Sequence, residues 1–273
     1  MRVLIGTSGY QYKAWRGSLY SERCKDPEML TEYARVLDTV EVNNTFYRMP
    51  KPGVFAKWAE QVPDDFRFSI KAPRWLTPIS KIASEQAPFM QLDAELAQLG
   101  AKLGPVLFQS PPNVLRNVEK LREFLGRLPP HWQASFDLRH ESWHDPAVHE
   151  LLRAHGAALC LTDTDEPARP WVPSGGFGYV RLRRGTYSDK ALREALQRIS
   201  AQPWHTAYVY LKHEDETPAL VRRVLKLTAA TPLASAPEAG HEPRHDEGTE
   251  GRGRSGDGRE RLRRRPTARQ PAR

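Results

Sequence analysis

Apolar and polar residues alternate along much of the chain, and the alternation recurs at regular intervals. In Thr39-Val40-Glu41-Val42-Asn43 the two valines fall on one face of an extended segment and Glu41 and Asn43 on the other; Asn43-Asn44 then breaks the run. Phe66, Phe68 and Ile70 alternate with Arg67, Ser69 and Lys71, and Phe136 and Leu138 with Ser135, Asp137 and Arg139. Val180 and Leu182 alternate with Tyr179, Arg181 and Arg183, and Val209 and Leu211 with Tyr208, Tyr210 and Lys212, while Leu107 and Gln109 share a face. These patterns predict strands at 2–7, 38–43, 66–71, 105–109, 133–138, 157–162, 177–183 and 206–212.

Helical signals lie between the strands. Asp26-Pro27, Asp145-Pro146 and Thr217-Pro218 each offer a capping oxygen followed by proline at the first helical position. Leu92, Leu96, Leu99 and Leu103 predict one helical face, Leu121, Leu125 and Leu128 a second, and Val221, Val224, Leu225 and Leu227 a last helix. Eight strands alternating with helices over residues 1–230 predict an α/β fold, a single (β/α)8 barrel of the TIM type, with a doubly wound sheet as the alternative.

In a barrel wrapped by helices the apolar strand faces pack outward, so the polar faces point into the lumen and, at the strands' C-terminal ends, line the site. The strand-end residues are Glu41, Asn43, Lys71, Gln109, Asp137, Arg139, Asp163, Arg181, Arg183 and Lys212. Cations outnumber acids among them, which suits a carboxylate or phosphate, since arginine engages either with two parallel hydrogen bonds. The competing expectation is an internal ion-pair lattice that fills the barrel. A second feature is aromatic: Tyr10, Tyr12, Trp15, Phe46, Tyr47, Trp75 and Trp143 fall in loops after strands, on the site side, where rings can stack on a base or sugar. Trp58, Trp132, Trp171 and Trp204 are expected to pack elsewhere.

Composition changes the picture mainly at the C-terminus. The chain of 273 residues carries a net charge of +8, but residues 252–273 hold nine arginines against Asp257 and Glu260, so the body is close to neutral. From Thr231 onward Leu233 and Leu262 are the only large aliphatic residues, and 231–273 is expected to be a disordered tail able to touch nucleic acid. Cys24 and Cys160 are too few for a disulfide framework, Met1-Arg2 leads straight into strand-like Val3-Leu4-Ile5, and no apolar run reaches the roughly 18–20 residues of a membrane span. A cytoplasmic protein without a membrane partner is expected.

Gly6-Thr7-Ser8-Gly9-Tyr10, Trp15-Arg16-Gly17 and Tyr20, followed by Val40-Glu41-Val42-Asn43 with Thr45-Phe46-Tyr47, resemble the YecE-like family, the seventy-second family named for a domain of unknown function. Phe68 to Lys71, Gly104-Pro105 with Gln109 and Pro111, Arg139-His140 with Ser142-Trp143, Tyr179-Val180-Arg181-Leu182 and Tyr208-Val209-Tyr210 extend the resemblance over nearly all of 1–227. It implies a TIM-type barrel similar in shape to xylose-isomerase and apurinic-endonuclease barrels, and no particular activity. Asp137 stands where many members have Glu, Arg183-Arg184 where many have His-Gly, and Lys212-His213-Glu214-Asp215 where many have an Asn-rich end.

These readings converge on a barrel whose C-terminal face binds a small anionic ligand, a phosphate-bearing sugar, nucleotide or nucleic-acid fragment, as a hydrolase or lyase. Glu41 and Asp137 are the expected catalytic acid and base. Asn43, Tyr47, Lys71, Gln109, Arg139, His140, Trp143, Arg181, Arg183 and Lys212 are the expected ligand-binding set. Gly6 to Gly9 could form a turn whose N–H groups face an anion. No cofactor is expected; a divalent metal would need a convergent set such as Glu41, Asp137, Asp163, His140 and His213, and apurinic-endonuclease barrels place several more histidines at strand ends. The alternative is a non-catalytic nucleic-acid-binding module built on the aromatic rim and the basic tail.

Overall fold

A computed structural model of the chain describes residues 1–77, 86–165, 171–212 and 216–230. The tail 231–273 and His213 lie outside the described residues.

Eight parallel strands close into a barrel in chain order: β1 Arg2–Ser8, β2 Thr39–Val42, β3 Arg67–Lys71, β4 Leu103–Ser110, β5 Ala134–Leu138, β6 Ala158–Asp163, β7 Phe177–Leu182 and β8 Thr206–Leu211. Helices α1 Met29–Ala34, α2 Val54–Glu60, α3 Ala87–Leu96, α4 Val118–Leu125, α5 Pro146–Ala154, α6 Asp189–Ser200 and α7 Thr217–Ala230 follow strands in the βα order the sequence predicts. No described helix is long and apolar enough to cross a membrane.

The outward valines, phenylalanines and leucines form one continuous core with the helices: Val40, Phe68, Val106, Phe136, Val180 and Val209 are all buried there. The lumen holds a separate cluster, including Leu4, Leu107, Cys160, Phe177, Tyr179, Tyr208 and Tyr210, with polar atoms interleaved. Tyr210 Oη lies 3.0 Å from Thr39 Oγ1, and Tyr179 Oη 3.0 Å from Ser69 Oγ. The polar strand faces therefore fill the barrel, as their alternation predicts. β1 and β2 approach so closely that a Cβ at Gly6 would stand 2.0 Å from the carbonyl oxygen of Thr39.

Several boundaries differ from expectation. Leu103 is the first residue of β4, because the helix carrying Leu92 and Leu96 ends there and a 3-10 turn, Ala97–Lys102, follows with Gly100 at φ +54°. Leu128 lies beyond α4. Asp26 opens a short 3-10 turn rather than capping it, and Thr217 is itself the first residue of α7. Asp145 does cap α5, accepting from Ala147 N at 2.9 Å, and Asn117 and Ser188 cap α4 and α6 in the same manner.

Candidate functional site

Register places the first polar contacts. Ser8 on β1 is paired with Glu41 on β2, and Ser8 Oγ donates to Glu41 Oε1 at 2.8 Å. Gln109 on β4 is paired with Asp137 on β5, and Gln109 Nε2 donates to Asp137 Oδ2 at 2.6 Å. β2 ends at Val42, so Asn43 turns out of the sheet and its Nδ2 reaches back to Glu41 Oε1 at 3.0 Å.

Closure of the barrel supplies the contacts across it. Arg181, on β7, extends its side chain through the lumen, 1% exposed. Its Nε donates to Glu41 Oε2 at 2.7 Å and its Nη1 to Asp137 Oδ2 at 2.9 Å. Tyr179 Oη donates to the same Glu41 oxygen at 2.6 Å, and Arg139 Nε approaches Asp137 Oδ2 at 3.3 Å. Burial alone would push the Glu41 carboxyl up, but the Arg181 and Arg183 guanidinium groups and the Tyr179 and Asn43 hydrogen bonds outweigh it and hold the group down at about 2. Glu41 is thus a fixed anion enclosed by donors, which is poor geometry for carrying protons near neutral pH. On Asp137 the donors converge on Oδ2, and Oδ1 accepts no hydrogen bond among the described residues. The lattice expected as the competing arrangement forms the floor of the site.

Above that floor lies a cavity of about 430 Å³ at the C-terminal ends of β1 to β3, lined by Ser8, Tyr12, Asn43, Tyr47, Lys71, Arg183 and Lys212 among others. Three of the lining residues are cations and none is a carboxylate, among the described residues. Arg183 Nη2 stands 3.6 Å from Glu41 Oε1, while its Nε is buried with no partner. Lys71 Nζ lies 4.1 Å above the ring of Phe46, and Tyr47 meets that ring edge-on. Burial first, and then the charge of Arg181, bring the Lys71 amine down to about 8. A second cavity of about 370 Å³ lies on the far side of Arg183, which lines both, and is bordered by Asp137, Arg139, His144, Cys160, Trp171 and Arg181.

The expected set therefore divides. Glu41, Asp137, Arg181, Gln109 and Asn43 form one connected network. Lys71, Arg183, Lys212, Tyr47 and Asn43 line the first cavity, and Arg139 the second. Trp143 belongs to neither: it is 1% exposed and its indole nitrogen donates to Val114 O, so it anchors a loop. His140 borders neither cavity, and its Nδ1 accepts from Ser142 N at 3.1 Å as the cap of a short turn. Of the expected rim aromatics, Tyr10, Trp15 and Trp143 are buried, Phe46 is half-buried, and Tyr12, Tyr47 and Trp75 are exposed. Trp171 packs against the core as expected, and it also lines the second cavity beneath Arg198. The turn after β1 has no free amides for an anion at Thr7 and Gly9, which donate to Tyr33 Oη and Glu41 O.

Of the residues considered for a metal, His213 lies outside the described residues, Asp163 is taken by Arg184 and Tyr187, and among the described residues no three His, Cys, Asp or Glu side chains converge on one point. The sequence did not single out His144 at the second cavity, and it named Ser8 and Phe46 without their roles, Ser8 as a donor to Glu41 and Phe46 as the floor beneath Lys71. The signal for Phe46 is its place one turn beyond a polar strand end.

A family model described as "Protein of unknown function DUF72" matches residues 4–244. The chain belongs to the DUF72 family. Among curated relatives it is 32% identical to the UPF0759 protein YecE of Escherichia coli K12 over 112 residues, 41% of each chain. It is 24% identical to the UPF0759 protein YunF of Bacillus subtilis over 188 residues, 63% of this chain and 64% of that one. The matched region thus spans less than two thirds of either relative. The barrel superposes on a DUF72 family protein from Thermotoga maritima with a TM-score of 0.68 and 22% identity, covering 84% of this chain and 99% of that one. A DUF72 family protein from Enterococcus faecalis gives 0.69 and 18%, covering 83% and 95%. The DUF72 fold is therefore shared across these bacterial proteins at low sequence identity.

Proposed function

We infer that this DUF72 barrel binds a small anion-bearing molecule, a phosphate ester or carboxylate, in the cavity at the C-terminal ends of β1 to β3, and acts on it as a hydrolase or lyase in a reducing cytoplasm. One observation carries the reading: Lys71, Arg183 and Lys212 surround this hollow without a carboxylate among its described lining. The acids of the barrel mouth are already committed below it, Glu41 and Asp137 to Arg181, so their charge is largely spent before the cavity is reached. An anion entering the hollow meets Lys71, Lys212 and the half-buried Arg183 side chain, with Ser8 and Asn43 beside them. Desolvation at the base of the cavity strengthens each of these contacts. Of the two carboxylates, Asp137 is the better candidate to carry a proton, because among the described residues its donors converge on Oδ2 and the residue borders a cavity. Two buried free thiols, Cys24 and Cys160, suit a reducing compartment.

The test is thermal stabilisation of the full chain by inorganic phosphate and by a panel of phosphorylated sugars and nucleotides. Stabilisation that saturates, and that weakens about tenfold or more in Arg183→Ala, is expected. Equal midpoints with and without every member of the panel would sink the reading.

A further inference from the structure

Lys71 is unlike the other cations at the barrel mouth. It closes β3, it is 9% exposed, and its backbone oxygen is fixed by Thr45 Oγ1 at 2.7 Å, so the side chain starts from a rigid strand end. Its amine rests on the face of Phe46, an apolar floor that excludes water from one side. No carboxylate pairs with it among the described residues, whereas Arg181, Arg139, Arg184 and Arg223 each have one. A lysine in this position is dry, adjacent to two guanidinium groups, and open to a cavity of about 430 Å³.

Such surroundings favour the neutral amine, the form that attacks carbonyl carbon. Burial and the neighbouring guanidinium groups bring the amine down to about 8, so far more of it is unprotonated near neutral pH than of an ordinary lysine. We propose that Lys71 is a nucleophile that forms an imine with a small aldehyde or ketone carrying a phosphate or carboxylate, the anionic group being held by Arg183 and Lys212. This deepens the anion-binding reading and rests on it for the orientation of the substrate.

The step balances without a co-reactant. The Nζ lone pair forms a C–N bond to the carbonyl carbon, and the displaced π pair goes to oxygen. The two hydrogens of the neutral amine then leave with that oxygen as one water, and the C=N bond takes its place. Where the imine nitrogen takes up a proton and the carbon β to the imine carbon bears a hydroxyl, the bond between the α and β carbons can then break: its pair passes through the α carbon to nitrogen, leaving an enamine, while the hydroxyl gives its proton to water and becomes the carbonyl of the departing aldehyde, which is lyase chemistry.

The experiment is reductive trapping on the full chain at pH 7. Glyoxylate is the carboxylate-bearing probe and glyceraldehyde 3-phosphate the phosphate-bearing one, each with cyanoborohydride, and the modified lysines are located by peptide mapping over time. Lys71 is expected to be modified at least tenfold faster than Lys212, which lines the same cavity but is exposed, and faster than Lys190 on α6. The faster probe identifies the anionic group. Inorganic phosphate should slow modification of Lys71 but not of Lys190, which lies outside the cavity, and Lys71→Arg should lose the fast adduct. Modification of Lys71 no faster than Lys212 with both probes overturns the proposal. If phosphate still stabilises the protein in that case, the anion site stands and only the imine falls. If Lys71 is trapped quickly while phosphate neither binds nor protects, the imine stands and the anion site falls.

Discussion

Arg181 meets Glu41 in the middle of the barrel, Nε to Oε2 at 2.7 Å, with neither side chain in contact with solvent. The same guanidinium holds Asp137, so one cation from β7 bridges acids from β2 and β5, with Arg183 beside Glu41 and Arg139 beside Asp137 completing the charge balance. Each partner was made safe to bury by the others, and none can be removed alone without leaving an uncompensated charge.

Replacing Arg181 by Met should therefore destabilise the protein by about 3–5 kcal/mol, as expected for a broken buried ion pair. The combined variant Arg181→Met, Glu41→Gln, Asp137→Asn should recover part of that loss. Urea unfolding of the three proteins checks this; an unchanged midpoint in Arg181→Met would mean the network contributes nothing to stability.

Acid stability follows from Glu41. Its folded value, about 2, lies below its ordinary 4.5, so the stability it contributes is complete above about 4.5 and is lost as pH falls toward 2. Glu41→Gln should be less stable than the parent at pH 6, and the difference should shrink steadily between pH 4.5 and 2. Unfolding midpoints measured across that range, parent against variant, isolate this carboxylate from the others.

Lys71 has the opposite sense. A lysine held at about 8 against an ordinary 10.5 weakens the fold while it is charged in both states, below about 8, and the penalty fades as pH rises from 8 to 10.5. Lys71→Met should raise stability at pH 7 by on the order of 1 kcal/mol, allowing for solvent at the cavity mouth, and the gain should disappear near pH 10. Thermal midpoints at the two pH values decide it.

Tyr47 stands 74% exposed beside the cavity, edge-on to Phe46. Tyr47→Ala should change stability by less than about 0.5 kcal/mol. It should nevertheless weaken binding of any ligand with a ring or sugar that reaches the rim, measured as a shift in the concentration giving half-maximal thermal stabilisation. Unchanged affinity across such ligands would assign Tyr47 no part in the site.

The barrel was legible because the alternation in β2, β3, β5, β7 and β8 has one physical cause: helices on the outside demand an apolar face, and the lumen takes what remains. Which polar residues would meet inside was not legible. Alternation gives the face of a side chain but not its depth or its partner, and Glu41 and Arg181 lie 140 positions apart. Their pairing exists only once the sheet closes. The misread aromatics have a similar origin. A tryptophan in a loop after a strand can point to solvent or fold under its own loop, and Trp143 does the latter because Val114 offers its indole N–H a carbonyl. Lys71 was visible as a strand-end cation, but its burial against Phe46 from the preceding loop was not. The helix boundaries that shifted, at Leu103 and Leu128, did so where leucine spacing ran on past the last helical hydrogen bond.

The pinch at Gly6 bears on all of this. Nothing larger than a hydrogen atom fits between that α-carbon and the peptide of Thr39, so even a methyl group there would prise open the seam between the first two staves. Two residues further on, the same seam seats Ser8 against Glu41. A glycine with no chemistry of its own thus sets how deep the central acid sits, and a mutant altered only at that point would be expected to lose the shape of the mouth before it lost the barrel.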